Sequence, residues 1–246
     1  GFAGSSTNNI SATYTADALS GTADKLSVNL STATGVTATA NAGFESAEVA
    51  VTGTSSLTLL TAPGVTALTI SGTGALTIAD NALAGFTGIT ITDTAAISTG
   101  AMTGVKTFVA TANTGGIVDA DIALTTTGFS DTNTIVGDTT GLSFLTGSGA
   151  DNVSITDAAT SNSSTIKLGA GNDKLKLLNT GTVATYIFGE AGDDTILIAD
   201  STTAIGANDL IDGGAGTDTL VVADADAQTW VLRGIENILL TNTAVT

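Results

Sequence analysis

The second half of this chain repeats one short phrase four times at nearly constant spacing. It reads Thr146-Gly147-Ser148-Gly149-Ala150-Asp151, Leu168-Gly169-Ala170-Gly171-Asn172-Asp173, Gly189-Glu190-Ala191-Gly192-Asp193-Asp194 and Gly213-Gly214-Ala215-Gly216-Thr217-Asp218. The closing aspartates stand 22, 21 and 24 residues apart. Each is followed by an alternating apolar pair: Val153 and Ile155, Leu175 and Leu177, Ile196 and Ile198, Leu220 and Val222. A glycine turn that runs into an alternating segment is a tight turn feeding a half-buried strand. A period of this length belongs to stacked repeats, in which one coil cannot bury its aliphatic face alone and its neighbours complete the core.

A second column supports the stacking. Six residues after each turn aspartate stands Asp157, Asn179, Asp200 or Asp224, so the intervening strand keeps a constant length. A looser strand follows in each coil, at Thr165–Leu168, Tyr186–Phe188, Leu210–Ile211 and Trp230–Leu232. Earlier in the chain, apolar-Thr-apolar triplets at Leu57, Leu68, Leu76 and Ile89 give the same alternation, with Thr on the solvent side. Ile70 and Ile91, which end two of these triplets, are 21 residues apart. The pattern predicts an all-β fold, a right-handed parallel β-solenoid or β-roll with stacked glycine turns. Residues 1–140 form a Thr/Ala-rich solenoid region and residues 141–246 the glycine-turn roll, either as one continuous solenoid or as two abutting ones. Residues 1–56 are the least legible. Thr34–Ala42 is low in complexity, Phe44–Val49 reads as a short helical or irregular piece, and Asn81–Gly85 fits a single helical turn. The solenoid is nevertheless expected to run through them.

Composition narrows the chemistry. The chain has 23 acidic and 6 basic residues, a net charge of -17, and neither Cys nor His. Thiolate metal sites, disulfides and imidazole ligation are therefore excluded, and oxygen is the donor that remains. Oxygen-only sites suit Ca²⁺ or Mg²⁺. So negative a surface disfavours nucleic acid, and no stretch reaches the ~20 apolar residues of a membrane span. Hydrophobic residues make up 42% of the chain against 4% aromatic, which favours an aliphatic core over disorder. No secretory leader is visible, and the chain reads as a segment of a longer protein whose export signal lies outside it.

The turns supply the candidate metal site. Asp151, Asp173, Asp194 and Asp218 bring the charge. Gly149, Gly169, Gly171, Gly189, Gly192, Gly214 and Gly216 let backbone carbonyls turn inward, because glycine tolerates positive φ. Asp209 stands nine residues before Asp218 and predicts a facing turn on the other edge of that coil. Asp193 and Asp212, with Glu190, either add ligands or lower the local potential. An ion between two stacked turns would collect carbonyls and one carboxylate from each, giving several Ca²⁺ ions, up to about three along this edge. Asp157, Asn179, Asp200 and Asp224 read instead as a corner-capping ladder, the Thr array as ordinary solvent-facing strand, and Trp230 as a core or capping residue.

Residues 146–221 resemble the RTX repeat family of bacterial proteins exported by type I secretion, through the G-G-x-G-x-D-x-U-x unit. The Thr/Ala/Gly-rich, Cys-free remainder resembles RTX-type surface-layer proteins, and Arg233–Ile238 is similar to a segment that follows calcium repeats in them. The resemblance implies a calcium-dependent β-roll that folds outside the cell. It also implies a structural segment of a self-assembling bacterial surface layer, located at the cell surface and secreted. Its partners would be calcium and other copies of itself in a lattice, with lipopolysaccharide or glycan contacted through parts outside this segment. No nucleic-acid partner and no membrane insertion are expected. A segment of a large RTX adhesin, or the non-catalytic RTX domain of a secreted hydrolase, are the alternatives. An enzymatic role is not expected, since neither H-E-x-x-H nor G-x-S-x-G occurs. The sequence departs from tandem nonapeptides, whose two-unit coil would be about eighteen residues, and the first glycine of the unit is replaced in two of the turns.

Overall fold

A computed structural model of the chain describes residues 9–12, 22–119, 123–125, 128–130, 135–179, 181–200, 208–223 and 230–241. Among these the fold is all-β. Two parallel sheets face each other and the chain winds from one to the other and back. The first sheet has 13 strands and includes Val36–Ala40, Ser55–Thr61, Leu76–Ile78, Ile97–Thr99, Ile117–Asp119, Asn152–Asp157, Lys174–Asn179, Thr195–Asp200, Thr219–Val222 and Asn237–Leu240. The second has ten, from Lys25–Leu30 and Ser46–Val51 through Thr107–Val109 and Ser143–Leu145 to Leu210–Asp212 and Val231–Arg233. Before residue 88 and after residue 143 each described strand pairs in parallel with the strand two places on. Between them the order along each sheet skips three to five places without leaving the two sheets, so the expected parallel β-solenoid is the fold. Among the described residues the one antiparallel pair, Ala123–Thr125 with Gly128–Ser130, lies off both sheets.

Both sheets run without a break past residue 140: Val118 pairs with Asn152, and Phe108 with Phe144. The early residues join the same solenoid, with Ser46–Val51 forming a strand in full register with Lys25–Leu30. The helical reading of Phe44–Val49 is thus replaced by a strand, because Ala47, Val49 and Val51 alternate inward with Ser46, Glu48 and Ala50 outward. Asn81–Gly85 forms turns closed by bonds from Ala82 N–H to Ala79 O and Ala84 N–H to Asn81 O, rather than a helix. A single turn gives too few bonds to sustain one against the pull of the flanking strands.

The core is a set of aliphatic columns. Register places Val153, Leu175, Ile196 and Leu220 in one, and Ile155, Leu177, Ile198 and Val222 in the next, all buried. Facing them, Leu68, Ile89, Phe108, Phe144, Ile166, Ile187 and Ile211 form a column of the second sheet. Phe108 and Phe144 stack in it with centroids 4.7 Å apart. Stacking in parallel at ~4.8 Å puts like side chains over like, and each buried aliphatic side chain contributes about 1.5–3 kcal/mol. Thr58, Thr77 and Thr90 face solvent as expected. Leu197 and Val221 do not follow that rule. They point away from this core yet are buried with Ala223 in a second small cluster. At the last described coil Val231, Ile238, Leu239 and Leu240 are exposed.

Candidate metal centre

The glycine turns lead from the second sheet into the first and deliver one aspartate per coil to the same place. Asp151, Asp173, Asp194 and Asp218 stack directly and are 1–2% exposed. Each carboxylate is tied to the coil before it. Asp173 Oδ1 accepts the Asp151 N–H at 2.8 Å, Asp194 Oδ1 the Asp173 N–H at 2.9 Å, and Asp218 Oδ1 the Asp194 N–H at 2.9 Å. Asp151 Oδ1 accepts the Ile117 N–H. The ladder explains why the acid recurs at this point: the first N–H of each strand has no ladder partner, and a short carboxylate on the next coil supplies one.

The second oxygen of each carboxylate is different. Oδ2 of Asp151, Asp173, Asp194 and Asp218 is buried and has no hydrogen-bond partner. Removal from water pushes these groups up: Asp173 to about 8, with Asp151 and Asp194 adding repulsion against the Asp151 amide's pull. Burial also takes Asp151 to about 6, against the pull of the Ile117 amide. Asp194 reaches about 6 through burial, with Asp218 and Asp193 contributing against the Asp173 amide. Asp218 is raised as well, by burial first. A stack of buried carboxylates with one orphaned oxygen each calls for protons or a cation.

Glycine makes the room. At Gly189 an added Cβ would collide with both Asp194 Oδ2 and Gly213 O; at Gly213 it would meet Gly234 O and Asp218 Oδ2. These two turns therefore bring a free carboxylate oxygen and a backbone carbonyl from the next coil to one small space. Gly149, Gly171, Gly192 and Gly216 form a column of their own. The carbonyl of each crowds the Cα of the next, so that a Cβ at Gly192 would strike Gly171 O and one at Gly216 would strike Gly192 O. Gly171, Gly192 and Gly216 have φ of 139, 137 and 145°, a region that side chains avoid. Gly169 and Gly214 share the neighbouring left-handed position, where Glu190 is held at φ 75°.

The remaining sequence candidates are spread out. Asp193 is an exposed link: its N–H donates to Asn172 Oδ1 and its own Oδ1 accepts the Thr217 N–H. Asp212 ends a strand of the second sheet, half-buried beside Gly234. Asp209 sits on the opposite edge, at the mouth of the second sheet, where its Oδ1 accepts the Thr185 N–H at 2.6 Å. Asp209 itself is thus on the opposite edge of the coil, while residues 205–207 of the facing turn read from it lie outside the described residues. Asp157 caps that corner: it accepts Ser164 Oγ–H at 2.8 Å, Thr185 Oγ1–H at 2.7 Å and the Ala159 N–H at 3.1 Å. Asn179 is in register with Asp157, and Asp224 lies outside the described residues. Trp230 packs against the core.

Several participants carry no glycine-aspartate signature. Ser164 and Thr185 occupy the same column as Asp209, and Ser164 Oγ accepts the Leu142 N–H at 3.0 Å. Their signal was an offset: Ser164, Thr185 and Asp209 each stand nine residues before a turn aspartate. Glu236 stands in register after Asp218 and accepts its N–H at 2.8 Å. In the first half the aspartate column continues as Ser55, Leu76, Ile97 and Ile117. Asp93 is a further buried acid, raised by burial and with Oδ2 unpartnered, and Asn113 donates to its backbone oxygen at 2.9 Å.

The donors suit a hard cation. They are carboxylate and carbonyl oxygens brought together by tight turns, the donor types that calcium accepts. Among the described residues no three acidic side chains converge on a point, so carbonyls must supply much of any coordination shell. No family model, curated protein or solved structure matches the chain.

Proposed function

We propose that this chain is a calcium-stabilised, non-catalytic structural segment of a self-assembling bacterial surface layer. The observation that carries the calcium part is the line of four buried carboxylates whose Oδ2 atoms have no protein partner. A bound divalent ion would neutralise carboxylates that otherwise repel one another, so that metal uptake and packing of the glycine turns become one equilibrium. Asp194 with Gly213 O, and Asp218 with Gly234 O, would hold it. The ion would supply fixed positive charge at the corner, while the Oδ1 atoms keep the coils in register. The structural role draws on the solenoid and on the resemblance to RTX-type surface-layer proteins. In that setting the protein is secreted and its main partner is another copy of itself.

The test has two arms. Melting followed by far-ultraviolet circular dichroism should show a higher Tm with millimolar calcium than with a chelator; equal Tm values in both would remove the calcium reading. Electron microscopy of the protein with calcium should show ordered arrays. Monomers that stay dispersed but adhere to cells would favour an adhesin segment.

A further inference from the structure

The four turns share a motif but not a space. The position five residues before the aspartate is Thr146, Leu168, Gly189 and Gly213 in turn. At Gly189 and Gly213 the absence of a side chain leaves the place where Oδ2 of the aspartate meets a carbonyl of the following coil. At the other two turns a side chain is already there. Leu168 is fully buried and belongs to the hydrophobic core. Thr146 is 4% exposed, and its hydroxyl donates to Leu168 O at 2.5 Å, so that carbonyl is bound to a proton donor.

We propose that only the last two of the four stacked turns seat a cation, and that the residue five positions before each aspartate decides which. The proposal rests on the calcium reading above and assigns the ligands within it. Asp194 Oδ2 with Gly213 O forms one seat, and Asp218 Oδ2 with Gly234 O the other. Glu236 closes the second seat's column, one methylene longer than aspartate, and reaches the Asp218 N–H from a shortened turn. Gly234 lies opposite Gly213, since Asp212 pairs with Arg233, yet it stands only two positions before Glu236, whereas Gly213 stands five positions before Asp218. Asp151 and Asp173 then serve as register ladders: their Oδ1 atoms hold the preceding coil, and their turns bring them an isobutyl group or a committed hydroxyl in place of a ligand. An apolar neighbour gives a cation nothing in exchange for its water.

Calorimetric titration of the intact chain with calcium at pH 7.5, with terbium luminescence as a second readout, counts the ions. About two tight ions per chain are expected, within the coordination that carbonyls, one carboxylate and water can complete. Asp194→Asn and Asp218→Asn should each remove one ion or weaken it at least tenfold, whereas Asp151→Asn and Asp173→Asn should leave the count unchanged. Gly189→Ala keeps the Asp194 carboxylate but fills the seat, and should lose the same ion as Asp194→Asn; it reads that seat if the asparagine variant fails to fold. Leu168→Gly should open a third seat. Loss of an ion in Asp151→Asn or Asp173→Asn, with circular dichroism intact, would overturn the partition and leave the calcium reading standing. A wild-type chain that takes up no calcium or terbium would overturn both.

Discussion

The Asp173 N–H donates to the Asp194 carboxylate of the next coil at 2.9 Å, while Asp194 Oδ2 is buried with no partner. One side chain thus performs two tasks with two oxygens: one fixes register, the other is left for a cation or a proton. Asp173 repeats the arrangement one coil earlier, and between Asp151 and Asp194 it is the most strongly raised acid of the stack.

A metal-free sample should therefore lose stability as pH rises. The folded pKa values of Asp151, Asp173 and Asp194 lie above the unfolded carboxylate value, so the folded state holds more protons than the unfolded state between about pH 4 and 8. Stability from these groups is complete below the unfolded value and is lost as pH climbs through about 6 and then about 8. In a chelator, Tm should fall by several degrees across that window. A flat or rising Tm would contradict the burial of the stack. Calcium should flatten the slope, since the ion replaces protons.

Asp173→Asn should be tolerated in chelator near pH 7.5. The amide oxygen can still accept the Asp151 N–H, and the charge it removes is one the fold already disfavours. Its Tm should equal or exceed that of the wild-type chain. A fall of several degrees would show that the carboxylate is held ionised.

On the opposite edge, Asp157→Ala should cost about 2–4 kcal/mol, because the Ser164 and Thr185 hydroxyls and the Ala159 N–H lose their acceptor in a buried corner. Urea denaturation measures it. The loss should be the same with and without calcium, which separates this corner from the glycine edge.

How much of this was legible follows from which residues carry the signal. The four glycine-aspartate phrases and the alternation at Val153, Leu175, Ile196 and Leu220 revealed the coil, because Gly and Asp have few substitutes where φ is positive and a short acceptor is needed. Ser164, Thr185 and Asp209 fill one column with three residue types, so composition hides them and only their nine-residue offset shows them. Ile117 and Asp151 are neighbours in the column but 34 residues apart in sequence, which breaks the period where the two halves join. Phe44–Val49 reads as helical or irregular because Phe44 and Glu45 obscure the alternation of strand Ser46–Val51, which starts only after them. The distinction between Leu168 and Gly189 was visible as a degenerate glycine, but its meaning needs the position of Oδ2.

Phe108→Ala should destabilise the chain by about 3–5 kcal/mol. Phe108 and Phe144 are both fully buried and stacked at an interplanar angle of 17°, in the strand pair that joins Thr107–Val109 to Ser143–Leu145 in the second sheet. Denaturant melts measure the loss. A cost below about 1 kcal/mol would mean that the two halves are not coupled through this pair.

Gly192→Ala should disrupt the glycine edge more than any exposed substitution. It places a methyl group against Gly171 O at φ 137°, and the strain alone costs about 1–3 kcal/mol. Protection of the Ala191 and Gly192 amides in hydrogen exchange should drop, whereas amides near Val49 and Ile70 should keep theirs.

The column that reads Leu76, Ile97, Ile117 and then Asp151, Asp173, Asp194, Asp218 changes from hydrocarbon to carboxylate at a single step. On one side of that step the column itself carries no charge; on the other, under the proposed calcium binding, its cohesion would follow the surrounding medium. A solenoid adds coils to an existing edge far more easily than it forms the first one. Under the calcium binding proposed above, the hydrocarbon half would serve as a primer: coils loosened by loss of ions would rewind onto a finished template without nucleating afresh.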